Sequence, residues 1–300
     1  MKRQEPVVKR LIQETAQGHA VRKELYSKLE KLFGEQKRVV AFFTSFRFPV
    51  VLQDEDVDML EEVLINTELE NKELVLILNS PGGDALAAER VVNVCRTYCT
   101  KGFSVMVPRM AKSAATMICL GANEIIMSST SELGPIDPQI LIRDEQGKPV
   151  RYQAAHEIID SYNELMDMAN ITKGRLEPFL QQLKRFDARD ISNIKSAQAL
   201  SESIAVNLLK TGCMNRLTEV QIKRKIKILT DPKKTKDHGR PVFADTAKKC
   251  GLNVKVIKNK DDLWKSVWEL YIRMNYLTSN TVGKIIAEVC TLRKYLKNAR

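Results

Sequence analysis

Several things are scarce in this 300-residue chain, and each scarcity excludes something. No apolar run approaches the roughly 18–20 residues that cross a bilayer. The N-terminal stretch MKRQEPVVKRLIQETAQGHAVRKELYSKLEKLFGEQK has no hydrophobic segment of the secretory kind. The expectation is a cytoplasmic protein without a membrane span. Histidine occurs three times, at His19, His156 and His238, so imidazole chemistry has few sources. The six cysteines, Cys95, Cys99, Cys119, Cys213, Cys250 and Cys290, form no CxxC pair and no Cys/His cluster with zinc spacing. They read as small apolar residues in a reducing compartment, and no metal or cofactor is expected. The P-loop string that cradles nucleotide phosphates does not occur either.

What is present suits a soluble globular protein: 44% hydrophobic and 28% charged residues, in a length that fits one large or two modest domains. The formal net charge of +11 is uneven. From Arg216 to Arg300 there are 21 Lys and Arg against 8 Asp and Glu, while the preceding residues are close to neutral. Such a segment attracts nucleic acid or acidic partners, or is a solvated helical face. The interleaving of VQIKRKIKIL with apolar residues favours the solvated face.

Hydrophobic periodicity divides the chain into three parts. Residues 1–36 read as an N-terminal helical arm outside the core, interrupted by Gly18 and closed by Gly34, with Leu25, Leu29, Leu32 and Phe33 as a sparse stripe. Residues 37–258 alternate strands and helices. Strands are expected at RVVAFFTSF, ELVLILNS, FSVMVPRM and EIIMSS, and helices at DEDVDMLEEVLINT (N-cap Asp54), ALAAERVVNVCRTYC and SAATMICLGAN. This order implies a mostly parallel sheet covered by helices. Beyond a polar loop around RDEQGKPV, helical stretches are expected from about Gln153 to Leu183 and Ser192 to Leu209, then a loop over Asp231–Pro241. Residues 259–300 read as a basic helical extension.

Three features fall at the carboxyl ends of consecutive strands, where open α/β sheets place their sites. Gly82-Gly83 follows the most apolar strand, Ser113 opens a small-residue helix, and SELGPIDPQI follows the next strand. A serine there is a favoured N-cap, yet a helix N-terminus also stabilises negative charge at a nucleophilic oxygen. The N–H of Ala114, with those of Gly82 and Gly83 from the neighbouring strand, suits an oxyanion hole; a tight turn is the plainer reading of the glycines. A serine nucleophile needs a base. His238 sits in a loop, His156 on a helix, and Lys112 beside Ser113, although adjacent helical residues do not face each other. Asp137, between Pro135 and Pro138, is held in a rigid turn and can orient an imidazole.

The strings SPGGDALAAE, AKSAATMICLGANEIIMSSTSELGPIDPQ and HGRPVFADTAKKCGL together resemble the serine dehydrogenase proteinase family. That family is distantly related to the Clp protease proteolytic subunit and to signal peptide peptidase A. The likeness runs from about Val39 to Val256. It implies the Clp/crotonase fold, a repeated ββα superhelix. It also implies a serine endopeptidase forming an acyl-enzyme on Ser113, and a homo-oligomer acting on peptide or protein substrates. The family's described order, Ser, Asp, His, falls on Ser113, Asp137 and His238. His156 is the fallback base, near where the signal peptide peptidase relatives place a lysine, and Lys112 comes after it. Two other readings stand beside this one: a crotonase-like acyl-CoA enzyme, disfavoured because MAKSAATM carries no acid, and a non-catalytic oligomeric scaffold or nucleic-acid-associated protein using the basic C-terminal part.

Overall fold

The computed structural model describes residues 18–143, 146–172, 174–231, 239–280, 283–288 and 295–297. A seven-stranded sheet runs through the centre. Its parallel part comprises β1 (Lys37–Thr44), β2 (Glu73–Asn79), β3 (Phe103–Val107), β5 (Glu124–Met127) and β10 (Val254–Val256), in spatial order β10-β5-β3-β2-β1. Beyond β1, β11 (Lys284–Glu288) and β12 (Tyr295–Lys297) continue it antiparallel, with Ala41 opposite Ala287. β2 is apolar from Leu74 to Leu78 because it is buried on both faces.

Alternation along the strands sorts their side chains into two cores. Val40, Phe42, Leu74, Leu76 and Leu78 point to the face covered by α2 (Asp54–Ile65), α3 (Ala85–Tyr98), α4 (Ala114–Gly121) and the C-terminal half of α7 (Ala188–Lys210). Val39, Ala41, Phe43, Val75 and Ile77 point to the other face, against α1 (Gly18–Phe33) and α11 (Asp262–Asn280). The two terminal helices, expected as an arm and an extension, therefore both lie on the sheet. Leu25, Tyr26 and Leu29 of α1 meet Trp264, Val267, Leu270 and Met274 of α11 in that second core. A sparse stripe looked too weak to bury, but α1 and α11 pack together and supply one layer between them. The chain after α11 is not helical throughout, since β11 pairs with β1. The helix α2 begins one residue earlier than expected: Gln53, not Asp54, is the N-cap, and Asp56 closes the capping box.

One further correction concerns the region after β6 (Glu132–Leu133). The expected polar loop turns a β-hairpin, β7 (Gln139–Arg143) and β8 (Pro149–Ala154), and the helical stretch expected from about Gln153 to Leu183 follows it as two helices, α5 (Ala155–Ile171) and α6 (Glu177–Leu183). Ala155, Ile158 and Ile159 of α5 and Ile191 and Ile194 of α7 form a third, small core under the hairpin. Helix α7 thus spans both lobes. Cys95, Cys99, Cys119 and Cys250 are buried thiols, and burial pushes Cys99 up to about 12; Cys213 is exposed, and Cys290 lies outside the described residues.

One buried ion pair ties the antiparallel edge to the parallel part. Lys284 Nζ of β11 donates to Asp56 Oδ2 at 2.5 Å, with side-chain exposures of 3% and 0%. The same oxygen accepts the Gln53 N–H at 2.7 Å. Breaking a buried pair leaves an uncompensated charge in low dielectric. Lys284→Met is expected to lower the urea-unfolding free energy by about 3–5 kcal/mol. Lys37→Met, which breaks the partly exposed pair with Glu73, is expected to lower it by less than about 1 kcal/mol. Equal losses would contradict the assignment of the buried pair as a main tie of β11.

Candidate active site

The chain leaving β2 and the chain leaving β3 stay paired beyond the central sheet. Ser80 N–H donates to Met110 O at 3.1 Å and Lys112 N–H to Ser80 O at 3.0 Å. The strand β4 (Met110–Ala111) pairs in turn with β6, and β6 with β9 (Val242–Phe243), as a small second sheet. This sheet fixes the two turns that carry Gly82-Gly83 and Ser113.

The turns touch backbone to backbone. A Cβ placed on Gly82 falls 2.4 Å from Lys112 O, 2.8 Å from Ser113 Cβ and 2.9 Å from Ala114 N. A Cβ on Gly83 falls 2.3 Å from Leu52 O. Both glycines also have positive φ, +97° and +154°. Sterics and dihedral alike therefore require glycine. Leu52 brackets the pair: its N–H donates to Gly82 O at 2.8 Å and its carbonyl accepts from Asp84 N–H at 2.9 Å. The Gly82 amide is spent within its own turn, on Ser80 Oγ at 3.1 Å. No hydrogen bond of the Gly83 or Ala114 amide is seen among the described residues, and these two remain available.

Ser113 stands at the N-cap of α4 with φ 50° and ψ −122° and makes no side-chain cap bond. A non-glycine residue in this region stores about 1–3 kcal/mol of strain. Forgoing the cap sacrifices about 1 kcal/mol more. The simplest use of an N-terminal serine, capping, is thus not what its hydroxyl does. All eight residues of α4 are buried. Its first turn is anchored by Thr116 Oγ1, which donates to Ala111 O at 2.8 Å and takes the Gly134 N–H at 3.1 Å. Its last turn is closed by Arg96, whose guanidinium donates to Gly121 O at 2.9 Å. A cation at the C-terminus and an open N-terminus leave the helix dipole directed at Ser113.

Ser113, Ala114, Gly82 and Gly83 share a cleft of about 590 Å³ whose other walls include Gln139, Tyr152 and Ser201. Gln139 falls within the SELGPIDPQI segment, whereas Tyr152 and Ser201 carry no local signal in the sequence. Asp84, the cleft's one charged side chain, caps α3 through Leu86 N–H at 2.7 Å. Asp137 is buried beside it, facing an adjoining cavity rather than the cleft. The Asp137 backbone is steadied by Ile136 N–H to Leu229 O at 2.9 Å. Its carboxylate lies 3.7 Å from His156 Nδ1, at the start of α5, and 3.4 Å from Gln139 Nε2. Ala155 N–H donates to Pro138 O at 2.9 Å, which holds the histidine's helix against the same turn. His156 lines neither cavity. Lys112 turns towards Glu132 Oε1 at 3.2 Å and Leu133 O at 3.4 Å. His238 lies outside the described residues.

If the strain at Ser113 serves chemistry, relieving it should stabilise the fold. Ser113→Gly is expected to raise the urea-unfolding free energy by about 1 kcal/mol, the strain released less the chain entropy glycine adds. Ser113→Ala, which keeps a Cβ in the same conformation, should not. A loss of stability in Ser113→Gly would contradict the strained assignment.

Comparison with known proteins agrees in kind. Residues 35–277 match the family described as ClpP-like SDH-type serine proteinase. An uncharacterized protein of Methanocaldococcus jannaschii is 29% identical over 198 residues, covering 65% of this chain and 58% of that protein. A second uncharacterized protein of the same organism is 39% identical over 82 residues, 27% of this chain and 28% of that protein. The chain thus spans less than two thirds of either relative. Among solved structures, two variants of the 1510-N membrane-bound stomatin-specific protease align at 18% and 17% identity. They cover 43% and 74% of this chain and 62% and 93% of theirs, with TM-scores of 0.29 and 0.30. The second holds a substrate peptide. Overlaps this low do not define a common geometry. The family match is of another order: it takes in the parallel sheet, both glycines, Ser113 and the hairpin lobe together, and on that extent the chain belongs to the ClpP-like SDH-type serine proteinases.

Proposed function

We propose that the protein is a serine endopeptidase that cleaves peptide bonds through an acyl-enzyme on Ser113. The observation that carries this reading is the strained, uncapped serine packed against Gly82 at the head of a buried helix. Ser113 Oγ attacks the scissile carbonyl. The carbonyl oxygen, becoming an anion, takes the Gly83 and Ala114 N–H groups, which point where charge develops rather than where it stands in the substrate. Gly82 acts by having no side chain, which lets the two turns close.

His156 is the proposed base, with Asp137 orienting its Nδ1–H so that Nε2 receives the serine proton and later returns it to the leaving amine. The support is the proximity of Asp137 to His156, which restores the imidazole to the middle of the relay. The separation of 3.7 Å tightens, and the imidazole reaches Ser113 Oγ, when substrate closes the hairpin lobe. Lys112 is held by Glu132 and Leu133 and is not given this role. We also propose that the working form is a homo-oligomer. The exposed Val150, Tyr152, Ile171 and Leu180 of the hairpin lobe support contact between copies.

Labelling with a fluorophosphonate probe, read by intact mass, tests the reading. The native chain is expected to gain one adduct, and Ser113→Ala none. His156→Gln is expected to slow labelling at least about 100-fold, and His238→Gln less than about twofold. Dominant loss in His238→Gln would move the base to that residue. No adduct on the native chain would contradict the peptidase reading and leave the scaffold. Sedimentation of the native chain as a monomer would contradict the oligomer.

A further inference from the structure

The cavity beside the Ser113 cleft differs from it in chemistry. It holds about 610 Å³ and shares Ile136, Pro138 and Ser201 with the cleft, so a chain lying across Ser113 passes from one into the other. The cleft wall carries a single charge, the committed Asp84. The cavity wall carries Lys195 of α7, Lys223 and Arg224 of α8 (Glu219–Lys225), and Lys227 of α9 (Lys227–Thr230).

Charge pairing within the cavity is incomplete. Lys223 is 3.5 Å from Glu202, and Lys227 is 3.5 Å from Asp231. The third carboxylate of the wall, Asp137, is buried beside His156. Lys195 and Arg224 have no carboxylate within ion-pair distance among the described residues. Neither cation has a carboxylate of its own among the described residues, so an incoming anion meets no competitor for them there. The planar guanidinium of Arg224 also offers paired donors to a carboxylate.

We propose that this cavity is a substrate subsite for an acidic side chain, so that the enzyme selects peptides carrying Asp or Glu within a few residues of the bond positioned at Ser113. The inference rests on the peptidase reading for the location of that bond, and on Lys195 and Arg224 for its selectivity. Lys195 and Arg224 are specificity residues, not catalytic ones, since they touch neither the scissile carbonyl nor the nucleophile. Both are exposed, so charge reversal there leaves the core intact.

The test uses the full chain with Ser113→Ala, which holds peptide without turnover, and a pair of fluorescein-labelled ten-residue peptides identical except for glutamate or glutamine three residues from the centre. Fluorescence anisotropy is expected to show the glutamate peptide binding about fivefold more tightly. The preference is expected to shrink as salt is raised. Adding Lys195→Glu with Arg224→Glu should abolish or invert it. Adding Lys23→Glu with Lys28→Glu, the same charge change on α1 across the sheet, should leave it. Equal affinities, no binding of either peptide up to about 1 mM, or a preference that survives the Lys195/Arg224 reversal would each overturn the subsite. Fluorophosphonate labelling of the native chain, run in parallel, reports separately on Ser113. Labelling without the charge preference sinks the subsite alone. The preference without labelling sinks the peptidase reading and leaves an acidic-peptide binding cavity.

Discussion

The contact of Gly82 with the backbone of Lys112, Ser113 and Ala114 is the constraint from which the site follows. Two parallel strands end side by side, and their outgoing chains meet closer than any Cβ permits. Glycine on one side is the steric consequence. On the other side the chain must reverse direction from β4 into α4 within two residues, and Ser113 takes up the reversal at φ 50°. Among the described residues the Gly83 and Ala114 amides have no partner, because the glycine turn and the first turn of a helix each have N–H groups that no local carbonyl can reach. The proposed oxyanion hole would thus be a by-product of two backbones forced together.

Such a site is unfavourable in itself, and the rest of the molecule holds it. Helix α4 is buried throughout and fastened at both ends, by Thr116 to Ala111 and by Arg96 to Gly121. It cannot rotate to give Ser113 an ordinary helical cap. The small second sheet fastens Ser80 to Met110 and Lys112, so the glycine turn cannot withdraw either. The hairpin lobe is different in kind. Its core is small and is joined to the main body by α7. A rigidly held Ser113, the proposed nucleophile, beside a lightly built lobe that carries Tyr152, Gln139 and His156 is an arrangement suited to closing on a peptide.

What the sequence made legible was local. The run from Glu73 to Asn79 read as a buried strand, Pro-Gly-Gly after it as a turn of unusual backbone, and Ser113 before eight small or apolar residues marked a helix start. Each signal sits within about a dozen residues. What was hidden depends on distance. Lys284 looks like a residue that ends apolar structure, and its burial makes sense only with Asp56 present. The stripe of α1 looks too thin to bury until α11 is seen to pack against it. The hairpin was obscured because its turn, RDEQGKPV, is polar and its second strand runs straight into α5. His156 was legible as a helical residue and a candidate base, but its position against Asp137 depends on how that helix packs.

A crystal structure of the native chain with a peptide boronic acid tests the central claim most directly, because the boronate mimics the tetrahedral adduct. The account predicts boron bonded to Ser113 Oγ, with one boronate oxygen about 2.7–3.1 Å from both the Gly83 and Ala114 nitrogens. A boronate unattached to Ser113, or attached with that oxygen turned to solvent while both amides stay empty, would contradict it.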